Sequence, residues 1–404
     1  MQLHKNLCFA VVDGILEIFN DHKYADKVIQ SLLKRDKRWG SNDRGFIAET
    51  TYDIVRWKRL YSEIAEVKEP FDRDDCWRLI SVWMTLKGHK LPNWKYFEKT
   101  SERKVKGRYD KFLKTRKIKE SIPDWIDDLG VKELGEQAWS KEIVALNKQA
   151  EVVIRTNTLK ITKKQLQCKL QEEGITTSEI KGYPYALKLL KRNNVFRTEA
   201  FKMGWFEVQD ASSQLVADFL DVKPGMRVID ACAGAGGKTL QLSSIMKNKG
   251  TIIAMDIYKS KLNKLKIRAR RNGAHNIKLK LINSSKVIKK QIGKADRVLI
   301  DSPCSGMGVL RRNPDTKWKL KPDFIKELKH LQQKIIVEYS KMLKKGGKMV
   351  YSTCSVLPSE NQNQIKKFLK SDHGKDYQLI RDKIILSSES GYDGFFMALI
   401  KKIK

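Results

Sequence analysis

From residue 209 onward, the chain alternates short apolar runs with longer amphipathic stretches. The apolar runs have the length and composition of buried strands, whereas the amphipathic stretches repeat their apolar residues at helical spacing. This alternation predicts a parallel, doubly wound α/β sheet. The predicted strands are Arg227–Asp230, Thr251–Asp256, Ile277–Ile282, Asp296–Asp301, Lys348–Ser352, Tyr377–Ile380 and Phe395–Ile400. The predicted helices are Gln214–Leu220, Thr239–Met246, Lys259–Asn272, Pro322–Leu343 and Glu360–Leu369.

Residues 1–140 show helical periodicity and predict an all-α domain. Basic residues surround Trp39, Trp57 and Trp94, a mixture that suits phosphate contacts and stacking on bases. Tryptophans in a helical core with lysines outside explain the same pattern equally well. One of the apolar stripes consists of Phe9, Val12, Leu16 and Phe19.

Residues 141–208 differ in character from the helical part. The run 152–158 predicts a strand that leads into a turn, and Thr162–Glu173 predicts a helix that ends near Gly174. We interpret this segment as a small α+β insert, an RNA-facing platform. The predicted domains are therefore residues 1–140, residues 141–208 and residues 209–404.

The chain is strongly basic, with 81 Lys and Arg against 47 Asp and Glu and a net charge of +34. A polyanion is the expected partner, and a lysine-rich solvated surface is the alternative explanation. No apolar run approaches the ~18 residues of a membrane span, so we expect a cytoplasmic protein without a membrane anchor.

The six cysteines lie far apart without a Cys-x-x-Cys pair, and the six histidines show no metal-binding spacing. This argues against a zinc cluster, and the length of the chain argues against a disulfide scaffold. We expect a protein without a bound metal.

Two cysteines follow the ends of predicted strands. Asp301-Ser302-Pro303-Cys304 comes after one strand, and Thr353-Cys354 comes after another. Residues just past the carboxyl ends of parallel strands line the ligand crevice of an open sheet, so two thiols and a carboxylate are expected to meet in one pocket. Taken singly, each cysteine is also explained as a small apolar filler.

A glycine-rich turn follows the first strand of the predicted sheet, where residues 228–239 are Val-Ile-Asp-Ala-Cys-Ala-Gly-Ala-Gly-Gly-Lys-Thr. Small residues let the backbone approach a ligand closely, and the amides at the helix start favour a carboxylate or phosphate. A P-loop is disfavoured because that motif requires glycine where Cys232 stands.

Asp256 ends the next predicted strand, twenty residues after Gly236. An acid at this spacing suits a ribose diol, although a role as the N-cap of the following helix is also consistent. A glycine turn with such an acid fits a nucleoside cofactor, either NAD or S-adenosylmethionine. A dehydrogenase leaves Cys304 and Cys354 without a role, whereas a methyltransferase uses both.

A set of stretches from about residue 150 to the C-terminus resembles the RsmB/Sun family of RNA (cytosine-5) methyltransferases. Two N-terminal stretches, Ala25–Ile29 and Trp39–Ile47, are similar to the NusB-like RNA-binding domain of its ribosomal-RNA branch. The stretches that carry the main resemblance are Arg155–Lys160, Gln209–Gln214, Asp230–Thr239, Asp301–Gly306, Ser352–Ser355, Pro358–Asn361 and Asp393–Ala398.

The resemblance implies a Rossmann-like sheet that binds S-adenosyl-L-methionine, preceded by a NusB-like all-α domain and the small α+β insert. It implies that a monomer acts on RNA, namely small-subunit ribosomal RNA. In the implied chemistry, Cys354 adds to carbon 6 of cytosine, Asp301 hydrogen-bonds the Watson–Crick edge, and Cys304 helps to release the product. The presence of both cysteine motifs indicates RNA, because DNA cytosine methyltransferases lack the Thr-Cys motif.

Two of the implied cofactor residues depart from the family pattern. Ala235 stands where proline is usual, and its small side chain should be tolerated. Asn283 stands where an aspartate usually holds the adenine, with Ser284 as the alternative alignment, and an amide still accepts one hydrogen bond and donates another. The implied cofactor-binding residues are Cys232, Ala233, Gly234, Ala235, Gly236, Gly237, Lys238, Asp256, Asn283 and Asp301.

Other functions remain open at this point. In one alternative, the protein is a methyltransferase that acts on transfer RNA or DNA instead of ribosomal RNA. In another, the protein is a non-catalytic RNA-binding factor of ribosome assembly, which the charge and the helical domain fit equally well. Asn283 is the one residue that favours this last alternative.

Overall fold

The computed structural model describes residues 3–404, so the first two residues of the predicted helical domain lie outside the described range. The described chain divides into two compact units. One consists of the residues up to Lys148 together with Leu310–Lys321, and the other consists of Gln149–Val309 and Pro322–Lys404.

The helices and strands alternate in the second unit, and the first unit is helical. The helices are α1 (Lys5–Phe19), α2 (Ala25–Leu32), α3 (Ser41–Arg56), α4 (Lys58–Ala65), α5 (Arg73–Leu86), α6 (Glu102–Phe112), α7 (Arg116–Lys119), α8 (Asp124–Leu134), α9 (Glu136–Leu146), α10 (Lys163–Glu172), α11 (Glu199–Lys202), α12 (Ala211–Phe219), α13 (Gly237–Ile245), α14 (Lys259–Asn272), α15 (Ser285–Lys289), α16 (Thr316–Lys319), α17 (Pro322–Ser340), α18 (Gln362–Lys370) and α19 (Ser387–Ser390). The strands are β1 (Val153–Thr156), β2 (Thr177–Glu179), β3 (Ala186–Leu189), β4 (Phe206–Val208), β5 (Arg227–Asp230), β6 (Thr251–Asp256), β7 (Ile277–Leu281), β8 (Ala295–Asp301), β9 (Leu343–Thr353), β10 (Tyr377–Ile385) and β11 (Phe395–Lys402).

The first unit buries the apolar stripes of its helices in one core. Val11 and Ile15 of α1, Ile54 of α3 and Trp77 of α5 are almost completely inaccessible to solvent. Trp39, Trp57 and Trp94 pack against this core and are partly buried. Burial of their rings therefore accounts for much of the tryptophan pattern in this part of the sequence.

The segment Leu310–Lys321 belongs to the first unit although it follows the Pro-Cys motif in the chain. Lys317, on α16, is buried and donates hydrogen bonds to the carbonyls of Arg56 and Ser121, both at 2.8 Å, and to Oδ1 of Asn147 at 3.1 Å. The indole of Trp318 donates to the carbonyl of Val55 at 2.7 Å. No pattern in the sequence indicated this packing.

The small α+β insert contains an antiparallel sheet of order β2-β3-β1-β4, with α10 packed against it. Thr162 caps α10, because its hydroxyl accepts from the amide of Gln165 and the Gln165 side chain accepts from the amide of Thr162. The helix boundary predicted near Gly174 is correct to within two residues.

The main sheet has seven strands in the order β10-β11-β9-β8-β5-β6-β7. β5 pairs in parallel with β6 and β8, and the parallel arrangement continues to β7 on one side and β9 on the other. The bounds of β5, β6 and α14 are those that the sequence predicted. The prediction of a Rossmann-like sheet is confirmed.

The prediction that every strand is parallel was wrong for β11, which runs antiparallel to both β9 and β10. The connection between β10 and β11 contains only residues 386–394, with the single-turn helix α19. A parallel crossover needs about a dozen residues or more, whereas an antiparallel pair closes over a short connection.

Neighbouring residues of the central strands point into different cores. Ile229 and Ile253 pack with Ile336 of α17, whereas Val228 and Ile252 pack with Leu242 of α13. Strands that are buried on both faces explain the continuous apolar runs in the sequence. The helices on both faces hold the carboxyl ends of the strands in place, and the candidate site lies at those ends.

Among residues 3–404, none of the helices combines the length and apolar character that a membrane crossing requires. In the same range, no group of three or more His, Cys, Asp and Glu side chains is arranged to hold a metal ion.

Candidate active site

The two predicted catalytic cysteines lie side by side. β8 and β9 are neighbours, and Asp301 at the end of β8 pairs in register with Ser352 of β9. Cys304 and Cys354 follow these strand ends, and their sulfur atoms are 3.3 Å apart. Both side chains are half-buried. The pairing of two adjacent parallel strands therefore brings together two thiols that are distant in the sequence.

Asp301 lies at the same edge and is held by two donors. Nζ of Lys238 donates to Oδ2 at 2.7 Å, and the hydroxyl of Ser352 donates to Oδ1 at 3.0 Å. Burial lowers the pKa of Lys238, but the carboxylate of Asp301 outweighs burial, so that the pKa lies above its usual value. Lys238 therefore carries a fixed positive charge beside the reaction crevice.

A buried carboxylate joins the loops that carry the two cysteines. Oε1 of Glu360 accepts from the amide of Ser305 at 2.8 Å, and Oε2 accepts from the hydroxyls of Ser305 at 2.5 Å and Ser355 at 2.6 Å. The amide of Gln332 adds a donor to Oε1 at 3.0 Å. These contacts hold the residues that follow Cys304 and Cys354 in one arrangement.

Gly308, in the loop after β8, contacts both the loop after β9 and Gly394, which precedes β11. The amide of Gly308 donates to the carbonyl of Cys354 at 2.9 Å, and the amide of Gly394 donates to the carbonyl of Gly308 at 2.7 Å. A Cβ atom at Gly308 would lie 2.2 Å from the carbonyl oxygen of Gly394 and 2.9 Å from that of Cys354. Only glycine permits this close approach of the backbones.

The glycine turn connects β5 to α13. Gly234 and Gly236 have φ values of +55° and +91°, in the left-handed region that favours glycine. A Cβ atom at Gly236 would lie 2.1 Å from Cδ1 of Leu265. By contrast, a Cβ atom at Gly234 or Gly237 would meet no atom within 4 Å, so this backbone faces open space where a ligand can approach.

Asp256 joins the end of β6 to this turn. Its Oδ2 accepts from the amide of Gly234 and its Oδ1 from the amide of Tyr258, both at 2.8 Å. The N-cap of α14 is Tyr258, so Asp256 does not cap the helix, which was the alternative role. Asn283 is exposed two residues after Leu281, the residue of β7 that pairs with Asp256.

The residues predicted to bind the cofactor thus lie along the carboxyl edge of the sheet. Cys232, Ala233 and Ala235 belong to the turn after β5, and Ala233 is buried. An open backbone at the turn, an acid at the end of β6 and an amide after β7 fit an elongated nucleoside cofactor.

Asp230, the last residue of β5, received no role from the sequence. Its side chain is buried, and the hydroxyl of Thr239 donates to its Oδ2 at 2.6 Å. Burial raises the pKa of Asp230 to about 7. A carboxyl group that titrates near neutral pH therefore lies directly beneath the glycine turn.

Arg155 was quoted for the family resemblance but was given no physical role. It is buried on β1, and its Nη1 atom donates to the carbonyl of Gly237 at 2.6 Å and also to Oε1 of Gln209. Asn157 donates to the carbonyl of Asn272 at 2.8 Å, at the end of α14. The signal in the sequence was the polar run at the end of an apolar strand. In the structure Arg155 holds the glycine turn and Asn157 holds the end of α14.

The order of the seven-stranded sheet, the glycine turn after β5 and the acid after β6 define a methyltransferase of the Rossmann-like, S-adenosylmethionine-dependent class. The model of the 16S rRNA methyltransferase RsmB/F family matches residues 217–401. The model of the ferredoxin-like domain of RsmF/B-like methyltransferases matches residues 122–196. The chain belongs to the RsmB/F methyltransferase family, and the prediction of S-adenosylmethionine as its cofactor is confirmed.

Curated relatives agree with this family. The probable ribosomal RNA small subunit methyltransferase B of Synechocystis is 35% identical over 303 residues, which cover 70% of this chain and 67% of that protein. The protein of the same description from Bacillus subtilis is 35% identical over 270 residues, 62% of this chain and 59% of the relative. The aligned part thus spans about three fifths to two thirds of these relatives.

A solved structure described as PH0851 has the same fold. It aligns with a TM-score of 0.83 and 24% sequence identity, and the alignment covers 100% of both chains. The NusB-like character of the N-terminal helices is not shown by these matches and stays a prediction.

Proposed function

We propose that this protein methylates carbon 5 of a cytosine in RNA, through a transient covalent bond between Cys354 and the base. The observation that supports the proposal best is the 3.3 Å separation of the Cys304 and Cys354 sulfur atoms beside the carboxylate of Asp301. A single buried thiol is explained by packing, whereas two adjoining thiols at a cofactor crevice are not.

Cys354 is the proposed nucleophile. Carbon 5 of cytosine is a poor nucleophile, and addition of a thiolate to carbon 6 makes it reactive, as an enamine is. Bound S-adenosylmethionine supplies the methyl group that carbon 5 takes. When a base then removes the proton from carbon 5, the bond between sulfur and carbon 6 breaks and the electron pair returns to Cys354.

Cys304 is proposed to assist this last step. A thiol 3.3 Å from the sulfur of Cys354 can donate a hydrogen bond to the departing thiolate. Its pKa is raised well above the usual value by the hydrogen bond with Cys354, by burial and by the charge of Glu360. Cys304 therefore keeps its proton at neutral pH and acts as a donor, not as a second nucleophile.

Asp301 is proposed to hydrogen-bond the Watson–Crick edge of the base as charge develops during the addition. Lys238 and Ser352 fix the orientation of its carboxylate. Lys238 also interacts electrostatically with Cys354, so its positive charge belongs to the same group of side chains as the two thiols.

Small-subunit ribosomal RNA is the proposed substrate. The curated relatives carry that substrate in their descriptions, and a net charge of +34 suits a polyanion. The target cytosine must be unpaired or flipped out of a helix, because Cys304 and Cys354 are half-buried and cannot reach a base stacked in a duplex.

The central test is methyl transfer from labelled S-adenosylmethionine to small-subunit RNA. Cys354→Ala should abolish turnover, and undiminished turnover would refute the mechanism. Cys304→Ala should instead accumulate a covalent protein–RNA adduct, visible as a band of low mobility on a denaturing gel. Cys168→Ala, at an exposed cysteine on α10, is the matched control and should behave as the unmodified protein does.

Bisulfite sequencing of RNA from cells that lack the protein distinguishes the substrates. Loss of one 5-methylcytosine in small-subunit ribosomal RNA supports the proposal. Loss confined to transfer RNA would identify transfer RNA as the substrate and refute ribosomal RNA. Cofactor titration by calorimetry addresses the non-catalytic alternative, which predicts no heat at millimolar cofactor.

A further inference from the structure

Glu360 is completely buried between the loops that follow β8 and β9. Its two oxygens accept four hydrogen bonds, from the Ser305 amide, the Ser305 and Ser355 hydroxyls and the Gln332 side-chain amide. Ser305 and Ser355 each follow one of the paired cysteines in the chain. The carboxylate therefore contacts equivalent positions of both cysteine loops.

Four donors on two oxygens leave no acceptor for a proton on the carboxyl group, so the arrangement fits the ionised form. A glutamine at this position would place its N–H groups against the N–H and O–H groups that now donate to the carboxylate. The negative charge is thus enclosed next to the cysteine pair, where water cannot screen it.

The two thiols experience opposite charges. The charge of Glu360 acts on Cys304, whereas the ammonium of Lys238 acts on Cys354. Besides Glu360, the ionisable group that acts on Cys304 is Cys354. Cys304 in turn acts on the phenol of Tyr351, which donates to the carbonyl of Glu360 at 2.9 Å. Burial raises the pKa of Tyr351 well above its usual value, so this phenol stays neutral.

We propose that Glu360 is a positioning residue that gives the two cysteines different roles: it holds their loops side by side and keeps Cys304 protonated, while Cys354 reacts as the thiolate. This inference rests on the proposed function, because it assigns the reactive and the assisting thiol of that same site. Cys304 retains its proton throughout the reaction, and its S–H group donates to the sulfur of Cys354 when the bond to carbon 6 breaks.

The first experiment measures the thiols without RNA or cofactor. In a Cys354→Ser background, alkylation of Cys304 by iodoacetamide is followed by peptide mass spectrometry across a pH series. Glu360→Gln should lower the pH midpoint of Cys304 alkylation by about one unit or more, because it removes an adjacent negative charge. Glu338→Gln, at a half-buried residue on α17 that is paired with Lys341, is the control and should leave the midpoint unchanged.

The second experiment measures methyl transfer with Cys354 present. Glu360→Gln should lower kcat about 10-fold or more and change KM for RNA less than about 2-fold, because the base still binds but the thiolate departs poorly. The covalent protein–RNA adduct should accumulate as well. A folded Glu360→Gln variant with an unchanged Cys304 midpoint, or with a rise in KM equal to the fall in kcat, would overturn the inference.

A second variant covers the case in which Glu360→Gln does not fold. Ser305→Ala combined with Ser355→Ala retains the carboxylate but removes two of its donors, so the midpoint of Cys304 should rise. A midpoint that falls in this variant would contradict the role of the charge. If the unmodified protein methylates no RNA but the Cys304 midpoint responds as expected, the proposed function fails while the effect of Glu360 on the thiols stands.

Discussion

Nζ of Lys238 lies 2.7 Å from Oδ2 of Asp301, and this ion pair connects the glycine turn after β5 to the carboxylate that ends β8. The side chain of Lys238 is only 11% exposed and that of Asp301 is 32% exposed, so the pair is partly shielded from solvent. The same lysine thus serves the cofactor turn and the reacting edge. Its removal should affect catalysis more than folding.

Replacement of Lys238 by Met should lower kcat of methyl transfer by about 10²-fold, the size of effect seen when one donor is removed from an active site. Asp301 loses one of its two donors, and the positive charge beside its carboxylate disappears. Lys249→Met, at an exposed position before β6, is the control. Equal kcat values for the two variants would show that the ion pair has no part in catalysis.

Replacement of Arg155 by Lys should weaken cofactor binding about 10-fold and lower the free energy of unfolding by about 1–3 kcal/mol. Nη1 of Arg155 donates to both the carbonyl of Gly237 and the side chain of Gln209, and the shorter side chain of lysine cannot bring its nitrogen to the same place. Calorimetric titration with S-adenosylmethionine and thermal denaturation measure the two effects. The exposed Arg197→Lys is the matched control, and a loss of stability with unchanged affinity would limit Arg155 to a structural role.

Asp230 makes stability depend on pH, because burial raises its pKa from 3.8 to about 7. The folded protein binds this proton more tightly than the unfolded chain does. The contribution to stability is therefore complete below about pH 4 and is lost as the pH rises through about 7.

Asp230→Asn cannot ionise, yet its side-chain oxygen can still accept from Thr239. The melting temperature of the cofactor-free variant should match that of the unmodified protein near pH 4 and exceed it by several degrees near pH 8. Melting curves across this range measure the difference. A constant difference at every pH would mean that Asp230 keeps an ordinary pKa in the folded protein.

Lys317→Met should destabilise the helical unit by about 1–3 kcal/mol, because three buried oxygen atoms lose their donor. Hydrogen exchange of Leu310–Lys321 should speed up, whereas it should stay slow in Lys321→Met, at an exposed position of the same segment. Burial also lowers the pKa of Lys317 well below 10.5, so the contribution of this one side chain to stability should rise with pH up to about 10.5. Equal exchange rates in the two variants would contradict this anchoring role.

Several features of the site could be predicted from the sequence because they depend on neighbours along the chain. Asp301, Cys304 and Cys354 each stand just after an apolar run, and the ends of parallel strands share one edge of a sheet. The glycine turn and Asp256 could be predicted for the same reason, because each lies at the carboxyl end of a parallel strand. Their chemical roles came from the family resemblance and stay predictions until the variants are measured.

Contacts between distant residues could not be predicted in this way. Arg155 meets Gly237, and Glu360 meets Ser305, across long separations in sequence that no periodicity encodes. The sequence around Lys317 is that of an ordinary surface lysine, yet its side chain is only 1% exposed. Only the packing of whole helices and strands places these polar groups next to one another.

The sequence by itself determined the strands and helices of the sheet, its glycine turn and the two cysteine motifs, because hydrophobic period and turn residues act locally on the backbone. The tertiary structure decided the reversed direction of β11, the 3.3 Å approach of the thiols and the enclosure of Glu360 between the loops that carry them. Strand pairing and burial are properties of the folded chain as a whole. They set both the distances and the local dielectric on which the proposed chemistry depends.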